Sequence, residues 1–219
     1  ARVGELTEMA EYFMTMRQSR LDNPGNIDLL TMMSHHPATA DMSPDEFMGS
    51  LSLLIVGGND TTRNSMSGGV YGFSQFPDEW DKMVADPSLI DNAVAEIIRW
   101  QTPLAHMRRT ALEDAVLGGK QIRKGDKVVM WYASGNRDTA LFDDPDAIRI
   151  DRKNARRHLS FGFGIHRCMG NRIGELQLRI LWEEVLKRFS RIEVTGSPVL
   201  TRSNFVKGYT SLPVKLHAL

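Results

Sequence analysis

The sequence predicts a mainly α chain with small β-sheets, an α+β class, on three observations. Apolar residues recur at helical spacing through the stretch before Pro103. Between Met107 and Met130 the pattern changes to short alternating segments, HMRRTA, DAVLGG, KQIRKGD and KVVMW, divided by Gly-Gly and Gly-Asp turns. Helical spacing returns after Cys168, and two further alternating stretches close the chain.

Taken in order, Leu6, Met9, Ala10, Phe13 and Met16 mark a first helix, which stops at the turn Asn23-Pro24-Gly25. A shorter helix over IDLLTMMSHH leaves His35 and His36 on the surface at its end. In Ser43-Pro44-Asp45-Glu46 the serine caps, the proline takes the first helical position, where its missing N–H costs nothing, and the glutamate closes a capping box. The helix that starts there has room to run over about 44–76, because the next proline is Pro77, but GGNDTT at 57–62 interrupts its centre. Helices over about 78–86 and 88–100 follow, the second ending ahead of Pro103. The charged stretch from Ser134 to Ser160 has little periodicity and is too long for an idle connection, so it is expected to pack on something. Ile173, Leu176, Ile180, Val185 and Phe189 line a helix over about 169–189, and IEVTGSPVLT with FVKGYTSLPVKL reads as a final hairpin. No repeat or linker divides the 219 residues, which read as one body.

Composition narrows the function. Lysine plus arginine equals aspartate plus glutamate at 27 each, so no basic field is available to hold nucleic acid. The longest apolar run, LSLLIV at 51–56, is far too short to span a bilayer, and Ala1 opens no signal-peptide pattern. The single cysteine, Cys168, excludes an internal disulfide and suits a reducing cytosol. It lies in FGFGIHRCMG at the mouth of a helix, where the first helical amides and the adjacent Arg167 favour an anionic sulfur, which is a nucleophile or a metal ligand. Gly162, Gly164 and Gly170 remove side chains around it, as the close approach of a large flat cofactor requires. Zinc fits poorly, with no CxxC and no HExxH, and neither GxGxxG nor GxxxxGK[ST] is present for a nucleotide. A lone cysteine thiolate as the only protein ligand is characteristic of haem iron.

FGFGIHRCMG resembles the haem-binding loop of the cytochrome P450 superfamily, FxxGx[RH]xCxG, with Phe161, Gly164, His166, Cys168 and Gly170 in register. The resemblance implies the C-terminal portion of that fold, with haem b held by Cys168 as proximal iron ligand. It places Phe161 near the sulfur, Gly162 and Gly170 in the cofactor loop, His166 on a haem propionate, and Gly174 where the next helix passes the porphyrin face. Gly57, Gly58, Asn59, Asp60 and Thr61 match the family's [AG]Gx[DE]T. There the glycines leave room for haem and O2, and Asp60 and Thr61 relay the protons that oxygen activation consumes. Glu96-Ile97-Ile98-Arg99 stands where the family has ExxR, a structural pair joined by an arginine of the meander; Arg152 is assigned to that role, with Arg156 as competitor. Arg109, beside Arg108, matches a propionate-binding arginine, and Leu53, Val56, Ala105, Phe205 and Val206 fall at substrate-facing positions.

LLIVGGNDTTRNSMSGG is similar to the bacterial soluble branch that hydroxylates the terminal carbon of medium-chain alkanes and fatty acids, while sterol side-chain hydroxylases carry a related segment with glutamate before the first threonine. The implied enzyme is a cytoplasmic bacterial monooxygenase acting on a small apolar substrate. Its electrons come from NAD(P)H through a ferredoxin reductase and a ferredoxin, which the surface around Arg167, Arg172 and Arg179 could receive. Members of the family are considerably longer, so the N-terminal half of the fold is expected outside this sequence. The alternative is a haem-binding sensor or carrier without turnover, which Asp60 and Thr61 oppose because a carrier needs no proton relay.

Overall fold

A computed structural model describes residues 2–219 apart from the side chains of Arg2, Val3 and Leu6, so the place of Leu6 on the first apolar stripe lies outside the described residues. The chain forms two compact units, Ala1–Gly57 and Gly58–Leu219. Their boundary falls inside a helix, which is why no linker composition announces it.

The first unit holds α1 (Arg2–Asp22), α2 (Leu29–His35) and the start of α3 (Pro44–Gln75). Asp28 caps α2 by accepting the Thr31 amide at 2.8 Å. The capping box forms as the sequence indicates: Ser43 Oγ accepts the Glu46 amide at 3.3 Å and Glu46 accepts the Ser43 amide at 3.0 Å. Buried Met33, Phe47 and Leu51, with Phe13 and Met14 against them, make the core of this unit. The Arg17 guanidinium lies 4.3 Å from the centre of the Phe47 ring and donates to the carbonyls of Ala40 and Met42.

The second unit contains the rest of α3, then α4 (Pro77–Ala85), α5 (Ile90–Gln101), β1 (Met107–Thr110), β2 (Ala115–Leu117), β3 (Lys120–Ile122), β4 (Lys127–Met130), α6 (Tyr132–Gly135), α7 (Asn171–Leu186), β5 (Phe189–Val194), β6 (Val199–Leu200), β7 (Tyr209–Ser211) and β8 (Val214–Ala218). The strands nest as hairpins within hairpins. β1 pairs antiparallel with β4, enclosing β2–β3, and β5 pairs with β8, enclosing β6–β7. The single final hairpin expected from the sequence is therefore two pairs.

Trp182 of α7 is fully buried and meets Phe73 of α3 edge-on at 5.2 Å and Trp80 of α4 at 6.2 Å. Val94, Ile97 and Ile98 of α5, with Ile148 and Ile150 of the meander, complete this core. The segment SGGVYG of α3 makes the close packing possible. A Cβ on Gly69 would stand 2.6 Å from the Trp182 ring and 3.1 Å from Ile97, while one on Gly68 or Gly72 would overlap Gln101 or Ile148. α3 runs unbroken through GGNDTT, contrary to the interruption expected there. Glycine weakens a helix by about 1 kcal/mol per residue but keeps its N–H, so the hydrogen-bond ladder loses no member. Among the described residues no helix is long and apolar enough to cross a membrane.

Gly69→Ala therefore sets a helix-propensity gain of about 1 kcal/mol against an overpacking cost of about 1–3 kcal/mol. Urea unfolding of the intact protein should show a net loss of stability, and a gain would mean that the ring of Trp182 moves aside freely.

Candidate functional site

α5 carries the centre of the site. Glu96 and Arg99, one turn apart and both without solvent exposure, form a two-pronged pair: Arg99 Nε donates to Oε2 and Nη2 to Oε1, each at 2.8 Å. The remaining Arg99 donors go to the carbonyls of Asn136 at 2.8 Å, Pro145 at 2.7 Å and Ala147 at 2.9 Å, so all five guanidinium N–H groups are satisfied. Arg152 Nε reaches the same carboxylate at 3.0 Å, and its terminal nitrogens donate to the carbonyls of Asp143, Asp144 and Ala147. Glu96 also accepts the Arg149 amide at 3.0 Å. Arg156, the other arginine considered for this place, lies elsewhere, on Glu175 and the Asp91 carbonyl.

Buried His158 lies within reach of three arginines. Burial, then Arg167, Arg99 and Arg156, push its imidazole down to about 4, with Glu96 opposing. The neutral ring accepts the Ser160 amide on Nδ1 at 3.2 Å and lies 5.2 Å from the ring of Phe161. Fully buried Asn136 connects the cluster to the next loop: its Oδ1 accepts the Leu159 amide at 2.6 Å, and its Nδ2 donates to Ser160 Oγ at 2.8 Å and Thr102 Oγ1 at 2.9 Å. Ser160 Oγ in turn donates to the Ile98 carbonyl at 2.9 Å.

The thiol loop starts from this anchor. The Phe161 carbonyl accepts the Cys168 amide at 2.8 Å and closes the loop, whereas the Phe161 ring turns toward His158 and the core. Gly162 and Gly164 have φ of +69° and +76°, so left-handed backbone is their first reason to be glycine. Cys168 is exposed ahead of α7, and Gly170 is close enough that a Cβ there would lie 3.9 Å from the sulfur. Around it Phe163, Ile165 and Met169 are 84%, 97% and 85% exposed, and Ile173 is exposed as well. These exposed apolar side chains lie on the loop and first turn of α7 that flank the exposed thiol, the kind of surface on which a ligand or partner binds. A Cβ at Gly57, Gly58 or Gly174 would meet nothing within 4 Å, in contrast to Gly68, Gly69 and Gly72. An iron porphyrin needs one thiolate, apolar contact and cleared backbone, and these residues fit it. No group of three or more metal-ligating side chains occurs among the described residues to hold a metal by itself.

The other expected site residues are placed as follows. Asp60 pairs with Arg63 at 2.9 Å on an exposed face of α3, a weak restraint, and the Thr61 carbonyl accepts Ser65 Oγ at 2.8 Å. Arg109 is half-buried on the Met107 side of β1 while Arg108 points to solvent, and its guanidinium donates to the Arg108 carbonyl. His166 is exposed on the loop. Ala105, Phe205 and Val206 come together: the Ala105 amide donates to the Phe205 carbonyl at 2.8 Å, and Leu104 bridges to Val206. Leu53 and Val56 are exposed on the part of α3 that belongs to the first unit. Sequence reasoning missed Asn136, His158 and Ser160, whose partners lie far along the chain and leave no local pattern.

The family model for Cytochrome P450 matches residues 69–216. Linalool 8-monooxygenase of Pseudomonas putida is 42% identical over 96% of this chain and 52% of its own length. Steroid C26-monooxygenase of Mycolicibacterium smegmatis is 41% identical over 79% of the chain and 43% of its own length. The structure of cytochrome P450-153 from Novosphingobium aromaticivorans superposes with a TM-score of 0.92 at 54% identity, over 99% of this chain and 54% of the other. The chain thus spans about half the length of the relatives it matches.

Replacing Glu96 by alanine leaves two buried guanidinium groups without a carboxylate. The expected loss is about 3–5 kcal/mol in urea unfolding of the intact protein. An unchanged midpoint would show that the meander carbonyls hold both arginines unaided.

Proposed function

Because this chain belongs to the cytochrome P450 family, we propose that it holds haem b through Cys168 and that the intact protein is a monooxygenase. The observation that carries this reading is the exposed sulfur among exposed apolar side chains, on a loop closed by the Phe161 carbonyl and anchored by buried Asn136. Bound there, haem supplies the activation of O2 and the insertion of one oxygen atom into a C–H bond. The chain's own residues bind, orient and move protons. Cys168 would ligate the haem iron, with Phe161, Gly162 and Gly170 shaping its loop, and Gly57, Gly58 and Gly174 would leave room for the cofactor. Arg109 and His166 offer cationic and hydrogen-bonding partners for the propionates. Asp60, lightly held by Arg63, and the Thr61 hydroxyl would carry protons inward.

Ala105, Phe205 and Val206, which the structure brings together, would give the substrate an apolar lining, and by resemblance Leu53 and Val56 are substrate-facing positions as well. Resemblance of LLIVGGNDTTRNSMSGG to the alkane and fatty-acid branch supports the terminal carbon of a medium-chain alkane or fatty acid as the target. The relative named for oxidation of a steroid at C26 supports a sterol side chain as the second reading. Electrons from NAD(P)H would arrive through a ferredoxin reductase and a ferredoxin at the arginine-bearing surface of Arg167, Arg172 and Arg179, in the cytoplasm of a bacterium.

The reduced, carbon-monoxide-treated intact protein should absorb where thiolate ligation places the band, and Cys168→Ser should abolish it. A band at the neutral-thiol position, or no haem uptake, overturns the ligand assignment. Spin-state titration with octane, a fatty acid and a sterol ranks the substrates. Thr61→Ala should keep the haem spectrum yet lower product formed per O2 consumed by about tenfold or more. Full coupling in that variant would remove Thr61 from proton delivery, and a wild-type protein with haem but no product would leave the carrier reading.

A further inference from the structure

Lys207 directs every polar group it has to the end of α5. Its amide donates to the Pro103 carbonyl at 2.9 Å and its carbonyl accepts Gln101 Nε2 at 2.8 Å. Its ammonium donates to the Trp100 carbonyl at 3.3 Å and stands 5.3 Å from the centre of the Trp100 ring. That carbonyl is one of the last in α5, without a partner in the helix, and it also receives Arg137 Nη2 at 3.0 Å. Arg137 has Asp146 as its counter-ion at 3.0 Å, but among the described residues no carboxylate pairs with Lys207.

The helix end that Lys207 grips is stiff. Thr102 leaves α5 in the left-handed region at φ +45°, fully buried, with its hydroxyl donating to the Arg99 carbonyl at 2.6 Å and accepting from Asn136. A strained threonine persists only where its surroundings over-determine it, and here the Glu96 cluster does so. Directly beyond it, Leu104 and Ala105 meet Val206 and Phe205. Lys207 is thus the joint between a rigid helix end and the apolar wall.

We infer that Lys207 is a positioning residue whose ammonium, clamped on the carbonyl and ring of Trp100, sets Phe205 and Val206 in register with Leu104 and Ala105, and so decides which carbon of an apolar substrate is presented. The inference rests on the reading of those residues as substrate wall. Thermodynamics supports it. Burial, then Arg137, push the amine down to about 8, with Asp146 opposing. A lysine lowered from 10.5 on folding costs stability in full below about 8, and the cost fades as pH rises towards 10.5. The charge thus opposes folding, while its contacts with the carbonyl and ring of Trp100 fix the joint. The other charged or titratable groups near it are Arg137 and Asp146 of the meander, Tyr71 of α3, and Tyr209 of β7; burial pushes Tyr209 up to about 12, so it stays neutral across this range.

The test compares wild type, Lys207→Met and Lys207→Arg in the intact haem-loaded enzyme, with a medium-chain fatty acid as probe. Readouts are the ratio of terminal to internal hydroxylation, KM against kcat, and amide hydrogen exchange at Ala105 and Lys207. Lys207→Met should change the product ratio several-fold and speed exchange at both amides, and arginine should restore most of the ratio. Wild type moved from neutral pH to above the amine's value should drift towards the methionine ratio, while the methionine variant stays level. Its melting temperature should exceed wild type at neutral pH, by a margin that shrinks as pH climbs. Identical product ratios with unchanged exchange overturn the inference. Should no protein oxidise the acid, exchange still decides: lost protection at Ala105 in the methionine variant keeps the clamp and removes the hydroxylase reading for that substrate, whereas retained protection removes the clamp.

Discussion

The buried carboxylate of Glu96 between Arg99 and Arg152 is the constraint from which the second unit is organised. A glutamate and two arginines out of water are costly unless every donor and lone pair is met. Here the meander meets them with the carbonyls of Asn136, Asp143, Asp144, Pro145 and Ala147. A stretch with almost no regular structure thereby acquires one conformation. The helix supplies charges, the meander supplies dipoles, and neither is tolerable in the interior without the other.

From that cluster the order passes to both edges of the site. On one side Asn136 and Ser160 tie the start of the thiol loop to α5, and a neutral His158 fills the space beside Phe161 without adding to the charge of the nearby arginines. On the other side the same Asn136 steadies Thr102, which turns the chain out of α5 towards Leu104 and Ala105. The thiol loop and the Leu104–Ala105 turn therefore share one buried origin, so damage to the cluster would reach both.

The glycines of α3 show how one residue type serves opposite ends within one helix. Gly68, Gly69 and Gly72 vanish under Gln101, Trp182, Ile97 and Ile148, and exist so that helices can touch. Gly57 and Gly58 have no neighbour for a Cβ to strike, so packing within the described residues does not account for their cost in helix propensity.

Much of this was legible in the order of residues. The capping box at Ser43, the glycine-flanked Cys168 with Phe161 and His166 at set distances, GGNDT ahead of ExxR, and the switch to alternating strands after Met107 are local patterns, because caps, turns and helix faces depend on neighbours a few residues apart. Local patterns also overstated one feature: GGNDTT reads as a break, yet α3 passes through it because glycine weakens a helix without removing a hydrogen bond. What only the tertiary structure decided were the contacts between distant segments. Arg152 rather than Arg156 meets Glu96, alternation on β1 turns Arg109 inward and Arg108 out, and Asn136, His158 and Lys207 take places that nothing beside them in the chain foretells. The physical reason is that a buried polar group is satisfied by whatever the fold brings within about 3 Å, and sequence separation carries no record of that distance.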